Sequence, residues 1–162
     1  MERNWICCFT GHRRIDGEAM QELSRLLDGV LDRLIADGVT VFRTGGAMGF
    51  DTLAALKVLE RREHDPSLSL ELCLPCRDQT HGWDARSREY YEYILTHADR
   101  VSYVQEAYTK GCMLARNRML VDGSQFCIGY CTSERGGSAY TLDYAKKKGL
   151  RVINLARMLP NT

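Results

Sequence analysis

Apolar residues recur along this chain in two alternating rhythms. Short runs at Trp5–Thr10, Thr40–Arg43, Leu68–Leu74, Arg100–Val104, Gln125–Tyr130 and Leu150–Leu155 have the length and make-up of buried strands. Between them the apolar positions take helical spacing. Leu23, Leu26, Leu27, Val30, Leu31, Leu34 and Ile35 form one stripe, closed by Gly38. A second helix carries Leu53, Ala54, Leu56, Val58 and Leu59 to about Arg62, where His64-Asp65-Pro66 breaks it. Asp84–His97, with Tyr90, Tyr91, Ile94 and Leu95 inward, Gly111–Val121, and Ser138–Lys148 before Gly149 complete the set. Strand and helix alternate from end to end. The pattern predicts an α/β protein: a Rossmann-like open parallel sheet with helices on both faces, three layers, as a single domain over residues 1–162. Right-handed crossovers bring every strand-to-helix turn to one edge.

Three of those turns are rich in glycine: Thr10-Gly11-His12-Arg13, Gly45-Gly46-Ala47-Met48-Gly49-Phe50-Asp51, and Gly136-Gly137-Ser138-Ala139. Ligands of open parallel sheets bind outside the carboxyl ends of the strands, where strand order reverses. Glycine lets backbone approach an anion, and the free N–H groups of a helix start attract one. The turns therefore predict a phosphate-bearing ligand, a nucleotide or a nucleotide fragment. The Gly45–Asp51 loop lacks the lysine and hydroxyl of a triphosphate loop and departs from the dinucleotide fingerprint. It reads either as a tight turn capped by Asp51 or as a cradle in which Asp51 accepts a ligand hydroxyl. Arg13 and Arg14 suit an anion, and His12 can donate to a ligand or carry a proton. The plain alternative is a solvated basic turn. Arg116 and Asn117 are polar positions on an otherwise apolar helix. Trp83 follows a polar loop and is the candidate for stacking on a base, whereas Tyr90, Tyr91 and Tyr93 read first as helix packing. Lys146-Lys147-Lys148 complements a helix end.

Composition narrows the classes. Hydrophobic residues make up 44% and charged residues 27%, and the formal net charge of +1 gives no bulk attraction to nucleic acid or anionic lipid. No apolar run approaches the roughly 20 residues of a membrane helix. The chain enters its first strand almost at once, without the pattern of a signal peptide, so a cytoplasmic location is expected. Cys7, Cys8 and Cys127, of seven cysteines, sit inside apolar runs as small hydrophobes. Cys73-Leu74-Pro75-Cys76 has the CxxC form, but no second pair stands at zinc spacing. It reads as structural, and neither metal nor cofactor is expected.

Taken in order, these residues resemble the SLOG superfamily of Rossmann-like domains, and within it the stand-alone YpsA-like group. Phe9-Thr10-Gly11-His12-Arg13 is similar to that group's opening strand and turn, and Gly45–Asp51 to its second turn. Pro75, Gln79 and Trp83 resemble its middle loop, and Tyr91-Glu92-Tyr93-Ile94-Leu95 and Ala98-Asp99 follow in the same order. The second half also resembles the core of the DNA-processing protein DprA, through Arg116-Asn117-Arg118, Phe126–Tyr130 and Gly137-Ser138, without flanking domains. Met113 to Arg116 is similar to the methionine-x-x-arginine helix of LOG-type phosphoribohydrolases. Gly136–Asp143 approximates their later turn, with Ala139, Tyr140 and Asp143 in place of glycine, threonine and glutamate.

The first functional reading is a binding, or sensing, domain for a nucleotide-type small molecule. Phosphate would rest on the Gly45–Gly49 and Gly136–Ser138 turns, Arg13 and Arg116 would neutralise it, and Asp51 and Asn117 would read hydroxyls or a base edge. The rival, implied by the LOG-type resemblance, is an N-glycosidic hydrolase with Arg116 and Asp143 as catalytic residues. A third, by analogy with DprA, is a nucleic-acid or protein interaction module, which the near-neutral charge disfavours. A homodimer is left open by the resemblance.

Overall fold

A computed structural model describes residues 4–159. Six strands and five helices alternate: β1 (Trp5–Gly11), α1 (Gly17–Ala36), β2 (Val39–Thr44), α2 (Phe50–His64), β3 (Ser69–Leu74), α3 (Ala85–His97), β4 (Arg100–Tyr103), α4 (Cys112–Val121), β5 (Phe126–Tyr130), α5 (Gly137–Lys147) and β6 (Arg151–Asn154). A 3₁₀ turn, Leu155–Met158, follows. The sheet runs β4-β3-β2-β1-β5-β6 and every pair is parallel. This is the α/β Rossmann-like architecture that the alternation predicts. From β1 the chain steps outward to β4, then returns over the sheet through α4 to place β5 on the other side of β1. Strand order thus reverses between β1 and β5.

Successive strand residues face opposite ways, and the two faces differ in make-up. Cys7 and Phe9 of β1, Phe42 of β2, Leu70 and Leu72 of β3 and Ile128 of β5 pack with Leu23, Leu27 and Leu31 of α1, Ala54 and Val58 of α2, and Tyr91 and Ile94 of α3. The opposite face presents Cys8, Cys73, Cys127 and Cys131 to Leu120 and Val121 of α4 and to Leu142 and Ala145 of α5. Small thiol side chains therefore supply much of the layer beneath the two short helices. All seven cysteines are free and buried.

Two elements differ from their sequence reading. Tyr91 and Ile94 form the inner face of α3, while Tyr90 is 39% exposed, because the helix turns its Tyr90 and Tyr93 side outward. The last strand stops at Asn154. That side chain accepts from the Cys131 and Ala156 N–H groups and donates to the Cys131 carbonyl. These bonds bend the chain into the 3₁₀ turn and tie β6 to the loop after β5. Among the described residues no helix is long and apolar enough to cross a membrane.

The larger face carries the stability. Phe42 is fully buried and its ring stacks on Phe9 at 6.0 Å. Phe42→Ala is expected to cost about 3–5 kcal/mol in urea unfolding. Leu114→Ala, at a position 42% exposed, should stay within about 0.5 kcal/mol of the parent.

Candidate functional site

A cleft of about 350 Å³ opens where strand order reverses. Four parts of the chain form it. The end of β1 and its turn give Thr10, Gly11, His12 and Arg13; the loop before α2 gives Ala47 and the first turn of α2 gives Asp51; α4 gives Met113, Arg116 and Asn117; and the loop before α5 gives Arg135 and Gly136 and its first turn Gly137 and Ser138. Phe9 and Leu120 add apolar lining. The turn after β1 is pinned on both sides: His12 N–H donates to the Tyr130 carbonyl at 3.1 Å, and Phe50 N–H donates to the His12 carbonyl at 3.1 Å. Gly49 passes directly beneath the His12–Arg13 backbone with φ of 77°, where a Cβ would overlap both carbonyls.

Two opposite charges are buried here. Arg116 is only 5% exposed. Its Nε donates to Asn117 Oδ1 at 2.9 Å and its Nη1 to the Gly45 carbonyl. The guanidinium lies against the bare Cα of Gly45, so a side chain there would displace it. Asp51 is equally buried. Its Oδ2 accepts from the Ala47 N–H at 3.2 Å and the Gly45 N–H also favours the charged carboxylate, but Oδ1, out of solvent, completes no hydrogen bond. Burial raises the Asp51 carboxyl to about 6, opposed by the charge of Arg116, the Ala47 N–H and the charge of Arg13. Burial likewise lowers Arg116 from its usual value, opposed chiefly by Asp51.

The geometry fixes the tautomer of His12. Its Nε2 lies 2.8 Å from the Thr132 backbone nitrogen and 3.0 Å from Thr132 Oγ1. A backbone N–H only donates, so Nε2 is the acceptor and the ring proton sits on Nδ1. Tyr130 holds the ring edge to face at 5.6 Å. At the start of α5, Gly136 has φ of 105°. Gly137 does not: a Cβ there would meet Asn117 Nδ2 at an ordinary 3.6 Å.

The structure thus gathers Thr10, Gly11, His12, Arg13, Ala47, Asp51, Arg116, Asn117, Gly136, Gly137 and Ser138 around one cleft. Gly45, Gly46 and Gly49 lie behind it, Gly45 against Arg116, Gly46 against Leu74, and Gly49 against the first turn. Trp83 is outside the lining and packs edge-on to Tyr91 at 5.6 Å. Asp143 lines a second cleft, of about 710 Å³, with Thr132, Glu134, Lys146, Asn154 and Arg157. Met113, singled out in the sequence through the methionine-x-x-arginine resemblance, lines the cleft as well, whereas Arg135 and Thr132 were not anticipated. Of Arg135 and Thr132, only Arg135 carried a signal, as a cation directly preceding Gly136-Gly137. Among the described residues no cluster of three or more His, Cys, Asp or Glu side chains is placed to hold a metal.

Comparison with known proteins follows the same lines. The family profile YpsA, described as the YspA SLOG family, matches residues 7–157. UPF0398 proteins of Bacillus thuringiensis strain Al Hakam and Bacillus cereus strain AH187 are each 30% identical over 137 residues, covering 83% of this chain and 74% of theirs. Among solved structures, DNA processing protein A from Streptococcus pneumoniae superposes with a TM-score of 0.70 at 18% identity, over 98% of this chain and 51% of that one. The Helicobacter pylori protein, whose structure concerns its single-stranded DNA binding mode, gives 0.67 at 20% identity, over 98% and 66%. The chain spans about half of the first protein and just under two thirds of the second. The likeness to both is one of fold.

Asp51 has a pH signature. Its folded-state value of about 6 lies above the ordinary 3.8, so the unfolded chain releases this proton first and stability falls as pH rises from about 4 to about 6. Above about 6 the cost is complete, about 2–3 kcal/mol. Asparagine cannot ionise. The stability of Asp51→Asn relative to the parent should therefore grow across that window and then level off, as read from urea unfolding at acidic and alkaline pH. An offset independent of pH would mean that the carboxylate is solvated.

Proposed function

The chain belongs to the YspA SLOG family, and from that premise we propose that it binds the phosphate-bearing end of a nucleotide or nucleotide-derived ligand in the cleft between β1 and β5. One observation carries the reading. Asp51 lines this cleft together with Arg13, Arg116 and Arg135, and its Oδ1 is buried without a hydrogen-bond partner. A fold keeps an uncompensated carboxylate oxygen at a cost, and a ligand hydroxyl that displaces the groups covering it and donates to it offsets that cost. The amides at the start of α5, with Arg13 and Arg135, take the phosphate. Asn117 faces the same space, and His12 offers a neutral Nδ1–H.

The likeness to DNA processing protein A supports a second reading, an interaction module for single-stranded nucleic acid, with exposed Arg13, Arg14 and Arg135 as phosphate contacts. The two readings differ in salt dependence. A strand that engages several phosphates loses affinity steeply with salt, with a slope near −0.7 per contact, whereas a single ligand anchored by Asp51 does not. The hydrolase reading pairs Arg116 with Asp143, which line different clefts; the carboxylate that shares a cleft with Arg116 is Asp51. Incubation with nucleoside monophosphates, followed by a search for free base, tests that alternative.

Gly137→Ala separates ligand from fold. Nothing in the protein excludes a methyl group there, so the variant should melt at or above the parent temperature, gaining up to about 1 kcal/mol. It should nevertheless bind adenosine monophosphate about 10-fold more weakly by calorimetry, because the methyl crowds the anion seat. Asp51→Asn should weaken binding by about 10-fold or more. Unchanged affinity in both variants, or no binding of any nucleotide by the parent at millimolar concentration, would overturn the proposal.

A further inference from the structure

The second cleft has no part in the reading above. It is about twice as large as the first, and only the opening turn of α5 and the loop leading to it lie between them. Arg135, Gly136, Gly137 and Ser138 face one side, and Ala139, Leu142 and Asp143 face the other. The crest of this ridge is bare backbone. A Cβ on Gly136 would meet nothing within 4 Å, so the space over it is open. Gly136 still needs to be glycine for its φ of 105°. Gly137 needs it for neither angle nor room, and alanine is much the better helix former. The fold gives no reason for the missing side chain at 137. A ligand passing over the ridge does. A terminal phosphate seated on the α5 amides would occupy the first cleft and leave the second idle. A phosphate with a substituent on each side would place one in each.

Resting on the phosphate seat proposed above, we propose that the ligand is a two-part molecule joined through phosphate, whose bridge crosses Gly136–Gly137 and whose second part enters the cleft lined by Glu134, Asp143 and Lys146. The lining defines the chemistry of that part. Glu134 and Asp143 accept from hydroxyls, and Lys146 and Arg157 balance the two carboxylates and donate to oxygen. The Ser133 hydroxyl is engaged by the Arg135 backbone, and the Thr132 hydroxyl donates to His12, which leaves it acceptor capacity only. This surface suits a neutral, polyhydroxylated group such as a sugar. It does not suit a second anion, since two carboxylates face it, and Ala139, Leu142 and Val152 offer the apolar face of a sugar ring a surface to rest on. Asn154 stands in the same cleft, but both ends of its amide are engaged by Cys131. A phosphate between two nucleoside-like parts occurs in pyrophosphate-linked small molecules and in the diester of a nucleic-acid strand.

Calorimetry on the full chain with three probes tests the inference: adenosine monophosphate, ADP-ribose and a thymidine dinucleotide. At least one bridged probe should bind about 10-fold or more tightly than the monophosphate. That gain should vanish in the Asp143→Ala, Lys146→Ala double variant and in Ala139→Leu, which narrows the second cleft, while the monophosphate binds both variants as it binds the parent. Melting curves confirm that each variant folds. The better bridged probe tells a pyrophosphate ligand from a strand. Equal affinity for all three probes, or a gain that survives both second-cleft changes, overturns the inference and leaves the first-cleft reading standing. Failure of every probe to bind overturns that reading too.

Discussion

A cation and an anion are held out of water at the point where the sheet changes direction, and the loops around them are shaped by that. Arg116 reaches the site because α4 carries the chain back across the sheet. Once there, its guanidinium needs acceptors, which Asn117 and the Gly45 carbonyl supply. Gly45 must be bare to let it in. Asp51 brings the opposite charge from the first turn of α2 and spends one oxygen on the loop that precedes it. Each charge offsets part of the burial cost of the other without a direct ion pair between them, and for Asp51 burial still outweighs that help. The second glycine turn is therefore first of all the seat of an arginine, set behind the cleft.

The architecture was legible because its signals are long and redundant. The stripe from Leu23 to Ile35 has the helical period, and the apolar runs at β1, β3 and β5 are too short for helices and are bounded by turn residues. The turns were legible because glycine marks them. What each glycine does was not, since that depends on a partner distant in sequence. Gly45 faces residue 116, and Gly49 faces the backbone of residues 12 and 13. The burial of Arg116 and Asn117 was equally hidden. An arginine on a short helix is ordinarily solvated, and α4 alternates apolar and charged residues too irregularly to show which face turns inward. His12 drew attention as a titratable group, but its tautomer is set by the amide of Thr132, which no local pattern announces.

The cysteines show composition misleading in a different way. Seven thiols with one CxxC invite a search for metal or redox chemistry. Their placement instead follows packing: Cys8, Cys73, Cys127 and Cys131 share the face under α4 and α5. Burial pushes the Cys73 thiol up to about 11, so it stays protonated and unreactive at neutral pH. A small, weakly polar side chain lets two short helices rest on the strands, and α4 must rest there for Arg116 to reach the cleft.

The hydrogen bond from Thr132 to His12 joins residues 120 positions apart. It ties the first strand's exit to the fifth's, and β1 lies at the centre of the sheet with one edge reserved for β5. During synthesis that edge has no partner until most of the protein has left the ribosome. An N-terminal half-chain would carry the first two glycine turns on a sheet with an open, hydrophobic flank, a surface prone to sticking to other chains. The cleft between β1 and β5 therefore assembles late and all at once, and a truncated copy would expose a sticky flank rather than act as a weaker version of the whole.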